Sequence, residues 1–199
     1  MASQAWVNLL NAGIPWQSSQ GTQLATAVTA VISPRTPAVA QDFVLPGQPN
    51  GLQWYPGMSL RLKARGTMAS GGTTSSLTVA VGIGPSGSTT GFTTALCSTA
   101  AVVLGTGSLA GLFWRLEANV NCVALAGGTA TTLTSEGEVI VSDATTPAIG
   151  TASAIMLGMA FTSTAFSTYT GGTAMGLNGT LSAAFGNIQC NQFTIEQLS

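Results

Sequence analysis

From position 58 to 68 apolar and polar side chains alternate: Met58, Leu60, Leu62 and Ala64 are separated by Ser59, Arg61, Lys63 and Arg65. Successive side chains of a β-strand point to opposite sides of its sheet, so this stretch predicts a strand with one apolar face and three cations on the other. The same period returns at 77 to 83, with Leu77, Val79, Val81 and Ile83 on one face and Thr78, Ala80 and Gly82 on the reverse. Residues that small leave room for another backbone or a second layer. A longer apolar set, Leu112, Trp114, Leu116, Ala118, Val120 and Cys122, carries Arg115, Glu117, Asn119 and Asn121 on its polar side. Further strands are predicted at 24–32, 94–103, 138–142, 154–161, 176–184 and 192–198. Short strands separated by Gly- and Thr-rich turn signals predict an all-β fold, an antiparallel β-sandwich or barrel.

Residues 1–20 break this rhythm. They carry Trp6, Pro15 and Trp16 without alternation, and only positions 5–13 suggest a turn or two of helix, closed by Gly13. The organisation predicted is an irregular N-terminal arm over 1–20 and a single β-sandwich domain over 21–199. Two large aromatics on an irregular end need a surface to cover them, so Trp6 and Trp16 are candidate anchors onto the domain itself or onto a neighbour. The Gly-, Ser- and Thr-rich stretches 69–76, 84–91 and 171–173 are expected at exposed tips. Asn178-Gly179-Thr180 matches a glycosylation sequon, but without a secretory signal it is expected to mark a turn or bulge in a strand.

Charge changes the picture more than length does. Charged residues are 6% of the 199, against roughly 25% in an average soluble protein, while apolar residues are 45%. The surface must then be wetted by hydroxyls, amides and backbone, and such a surface favours association. The chain has no histidine, which removes the commonest general base and the commonest metal ligand. Cys97, Cys122 and Cys190 show no metal-binding spacing and are expected to be buried free thiols. No phosphate-loop, esterase or metalloprotease motif is present, so no catalytic, cofactor or metal site is predicted and the protein is not expected to be an enzyme.

The row Arg61, Lys63, Arg65 could hold phosphate or nucleic acid, but five cations and a net charge of −1 cannot supply the many phosphate contacts such binding needs. Glu136 and Glu138, also two apart, could pair with that row within the chain or across subunits. As a glycosidase pair they are unconvincing, since such carboxylates normally come from different strands and sit among aromatics. Arg115 and Glu117 are expected to form a structural ion pair. The first residues lack the basic start and apolar stretch of a signal peptide, and no window reaches about 18 apolar residues, so synthesis in a cytoplasm and no membrane span are expected.

Three stretches together resemble a known group. Positions 57–66 (Gly-Met-Ser-Leu-Arg-Leu-Lys-Ala-Arg-Gly), 112–118 (Leu-Phe-Trp-Arg-Leu-Glu-Ala) leading to Cys122, and 186–190 (Gly-Asn-Ile-Gln-Cys) closing on 193–198 (Phe-Thr-Ile-Glu-Gln-Leu) resemble jelly-roll virion proteins of tailed bacteriophages, often capsid decoration or cement proteins. The resemblance covers residues 52–198 and excludes the arm. It implies a homotrimeric, jelly-roll-like β-sandwich seated on the major capsid protein at local threefold positions, at the capsid surface of the virion, stabilising the head. Trp6, Trp16, Arg61, Lys63, Arg65, Glu136 and Glu138 are then candidate capsid or subunit contacts. The alternative is a tail-fibre or baseplate head domain that recognises host glycan, with Trp54, Tyr55 and Tyr169 stacking on sugar rings.

Overall fold

The alternating stretches become antiparallel strands. The computed structural model describes residues 24–26, 28–33, 56–69, 73–85, 92, 94–104, 112–126, 130–142, 154–166, 173–184 and 186–198. The predicted arm with Trp6 and Trp16, its helical turn, and Trp54, Tyr55 and Tyr169 lie outside these residues. Among the described residues ten strands are formed: β1 (Thr29–Val31), β2 (Ser59–Ala69), β3 (Ser75–Pro85), β4 (Thr94–Ser98), β5 (Val102–Leu104), β6 (Leu112–Ala126), β7 (Ala130–Ser142), β8 (Ala154–Phe166), β9 (Thr173–Leu181) and β10 (Asn187–Gln197). No helix occurs among the described residues.

Two sheets face each other. The first runs β1-β9-β3-β4, with β5 continuing along the same edge of β3, and the second runs β10-β2-β6-β7-β8. The protein is therefore an all-β antiparallel sandwich. Leu60, Leu62, Trp114, Leu116, Val120, Val139, Val141, Phe193 and Ile195 of the second sheet meet Leu77, Val79, Val81, Ile83, Leu96, Met175 and Leu177 of the first, all buried. Burial at about 25 cal/mol per Å² makes this interior the main source of stability.

Both pairs of sheet edges are tied together. At one, Leu24 and Ile188 exchange N–H to carbonyl hydrogen bonds of 2.9 Å each, joining the chain before β1 to β10. At the other, Thr99 bridges to Met159 of β8, and the buried Ser135 hydroxyl on β7 donates to the Leu96 carbonyl on β4. These links cover backbone groups that open edges would offer to other chains.

Where prediction and structure differ, side-chain hydrogen bonding explains much of the difference. The single strand expected over 94–103 is two, β4 and β5. At the break, the buried Thr99 hydroxyl accepts the Val79 N–H at 3.1 Å while the Thr99 N–H donates to the Val79 carbonyl at 2.9 Å. The strand expected over 138–142 starts eight residues earlier, because the inward positions Ser135 and Gly137 extend it without apolar bulk.

The sequon is neither turn nor bulge. Asn178 sits in unbroken register within β9, and its side chain clamps the backbone of Phe92, accepting its N–H at 3.0 Å and donating to its carbonyl at 3.3 Å. Phe92 is held over Gly82 and Gly176, where a methyl group would fall 2.6 Å from its atoms. The room left by small residues on β3 thus receives a second layer from the chain itself.

Gly66 meets a comparable constraint in the core. Paired with Trp114 on one side and Cys190 on the other, it lets the indole of the buried Trp114 lie against the backbone of β2. A side chain there would strike the Gln189 carbonyl oxygen and approach Trp114 Cε2 and Nε1 at 2.7 Å.

Candidate interaction face

The outward positions of β2, β6, β7 and β10 form one surface, because the same alternation that buries Leu62 or Leu116 turns their neighbours to solvent. Arg61, Lys63, Arg65, Arg115, Glu117, Glu136, Glu138 and Glu196 all lie on it, and they are every charged residue among the described ones. With four cations and four carboxylates, the face is electrically balanced. The outer face of the other sheet is overlaid by Phe92 and carries no charge among the described residues.

Register fixes the arrangement. One row reads Gln192, Arg65, Arg115, Ile140, Met156 across the five strands. The next reads Thr194, Lys63, Glu117, Glu138, Gly158, and a third reads Glu196, Arg61, Asn119, Glu136. Arg65 therefore stands directly opposite Arg115, and Glu117 opposite Glu138. Like charges in that relation are destabilising, by an amount comparable to the ~0.2–1 kcal/mol of a favourable cross-strand pair.

Two diagonal ion pairs offset part of this. Arg61 Nε lies 3.3 Å from Glu117 Oε1, and Lys63 Nζ lies 3.5 Å from Glu196 Oε2. The first is a charge contact rather than an aligned hydrogen bond, since Arg61 Nε has no hydrogen-bond acceptor. Both are partly solvated, which limits each to about 0–1 kcal/mol. The side chains of Arg65, Arg115, Glu136 and Glu138 have no ion-pair or hydrogen-bond partner among the described residues.

The face is also shaped. A basin of about 450 Å³ lies between Lys63, Arg65, Arg115, Glu117, Glu138 and Thr194, and a second depression of about 370 Å³ lies beside Asn119 and Glu136. At one corner Ile140 sits opposite Met156, which is 67% exposed, with Phe113, 53% exposed, on the adjoining row. An apolar corner beside charged rows has the composition of an interaction surface.

The structure brings Arg61, Lys63, Arg65, Glu136 and Glu138 onto one face, as candidate contacts should lie, but pairs them differently from the expectation. Glu136 and Glu138 do not reach the cation row of their own chain, because β6 runs between β2 and β7. Arg115 and Glu117 do not pair with each other; Glu117 turns to Arg61, leaving Arg115 beside Arg65. Glu196 belongs to the same surface and was not singled out, although its alternation with Phe193 and Ile195 in the predicted strand was the available signal.

The thiols are buried and unpaired by disulfides, as expected. Burial pushes Cys97 up to about 11 and Cys190 up to about 12, and raises Cys122 as well, so all three are protonated near neutral pH. Among the described residues, no three His, Cys, Asp or Glu side chains gather as a metal-ligand set. No protein-family model, curated protein or solved structure matches the chain.

Proposed function

We propose that the protein is a virion structural protein that coats the outer surface of a phage head and stabilises it, acting through interfaces rather than turnover. The observation carrying this reading is the collection of every described charge on one sheet face, with four of the eight unpaired and like charges opposed across strands. In an isolated chain the like-charge oppositions Arg65–Arg115 and Glu117–Glu138 cost free energy; a surface supplying opposite charges offsets it. The outer face of the second sheet is thus an assembly contact. The resemblance of residues 57–66, 112–122 and 186–198 to decoration proteins adds the location on the head and the major capsid protein as partner.

The test is addition of the purified protein to empty heads that lack it. Saturable cosedimentation, together with heads that survive to a higher temperature, is expected. Removing residues 1–20 should leave a folded domain that attaches more weakly, because the arm with Trp6 and Trp16 is the proposed tie to the shell. Absence of attachment by the full chain would refute the reading.

A further inference from the structure

We propose that the charged face is the contact between two copies of this chain, related by a twofold axis in the plane of the face, with Arg65 and Arg115 of each copy over Glu136 and Glu138 of the other. The inference rests on reading that face as an assembly contact and names its occupant. Arg65 and Arg115 are neighbours on adjacent strands, so their pair runs across the strands, with about 5 Å between Cα atoms. Glu136 and Glu138 are two apart on β7, so their pair runs along the strand, over about 7 Å. The midpoints of the two pairs lie roughly 12 Å apart on the face, from strand spacing and rise.

An in-plane axis diagonal to the strands exchanges the across-strand direction with the along-strand direction. Rotation about it lays each arginine pair on a glutamate pair, and symmetry makes the match twice. The sheets then cross at roughly 70–90°, within the orthogonal class of sheet packing. Other axes stack the unpaired charges on themselves: one along β6 puts Arg115 on Arg115 of the second copy, and one across the strands along the Lys63–Glu138 row puts Glu138 on Glu138. With the diagonal axis, Glu117 falls near the axis and faces Glu117 of the second copy, each carboxylate held by its own Arg61, and the exposed Met156 meets the apolar corner of the second copy. The equal number of cations and carboxylates leaves such a contact with no excess charge.

This contact closes at two copies, where the resemblance implies three, so mass separates the arrangements. Sedimentation equilibrium of the full chain at low ionic strength should give twice the 19.9 kDa chain mass. R65E/R115E and E136R/E138R should each associate at least tenfold more weakly, and an equimolar mixture of the two should recover the dimer, since each supplies the charge the other has lost. If either double variant fails to fold, R115E and E138R are mixed instead, with the same rescue expected. A wild-type chain that stays monomeric, a mass of three chains, a variant that dimerises undiminished, or a mixture without rescue would overturn the proposal. No heads are present in this experiment, so a dimer that fails to attach to heads refutes the functional reading alone.

Discussion

Gly66→Ala should be among the most damaging single-methyl changes in the protein. The added carbon would strike the Gln189 carbonyl oxygen on β10 and come within 2.7 Å of Trp114 Cε2 and Nε1. Neither neighbour yields cheaply: the carbonyl is main chain, and Trp114 is 2% exposed. Overpacking in a filled core costs about 1–3 kcal/mol. Moving β10 aside also weakens a ladder bond or two next to the Cys190/Gln192 irregularity, at about 1 kcal/mol each. The total is ~3–4 kcal/mol, a large share of the 5–15 kcal/mol typical of a domain. With a urea slope of ~2 kcal/mol/M, the unfolding midpoint should fall by about 1.5–2 M. Gly158→Ala is the control, since a methyl there meets nothing within 4 Å; its midpoint should stay within about 0.3 M of wild type. Adding Trp114→Phe to Gly66→Ala should not restore stability, because the carbonyl clash remains. Equal midpoints for the two alanine variants would refute the packing argument.

Asn178→Ala should speed amide exchange at Phe92, whose N–H it accepts, and should cost about 1–3 kcal/mol in urea unfolding. The thiols should resist a water-soluble disulfide reagent at neutral pH and react only on unfolding. Their folded-state values lie above the ordinary 9.0, so their contribution is fully present below pH 9 and is lost as pH rises through about 11 for Cys97 and about 12 for Cys190. Cys97 and Cys190 should each remove about 1.4 kcal/mol per pH unit over that window, read as a falling urea midpoint; replacing Cys97 with Ser should remove its share of that slope. A double-mutant cycle on Arg61 and Glu117 should return no more than about 1 kcal/mol and less at high salt.

The sandwich was legible because its long strands bury one face: Leu60 to Met68 and Trp114 to Cys122 alternate cleanly, and the structure buries the apolar set of each. It was less legible where polar side chains do structural work inside. Ser135, turned inward to bond Leu96, falls outside the strand predicted at 138–142, and Thr99, bonded to Val79 at the break between β4 and β5, falls inside the single strand predicted at 94–103. Asn178 looked like a turn because its buried role depends on Phe92, 86 residues away. The charged face was half legible. Alternation places Arg61, Lys63 and Arg65 outward and a spacing of two sets Glu136 and Glu138 together, but which charges meet depends on strand order, and the insertion of β6 between β2 and β7 has no local signature.

Mass in solution as a function of salt tests most directly whether the charged face is an assembly contact. At low ionic strength the protein should exceed the 19.9 kDa of one chain, and added salt should drive the mass down toward it, as the Debye length shortens from about 30 Å at 0.01 M to about 3 Å at 1 M. A mass of one chain at every salt and protein concentration would contradict it.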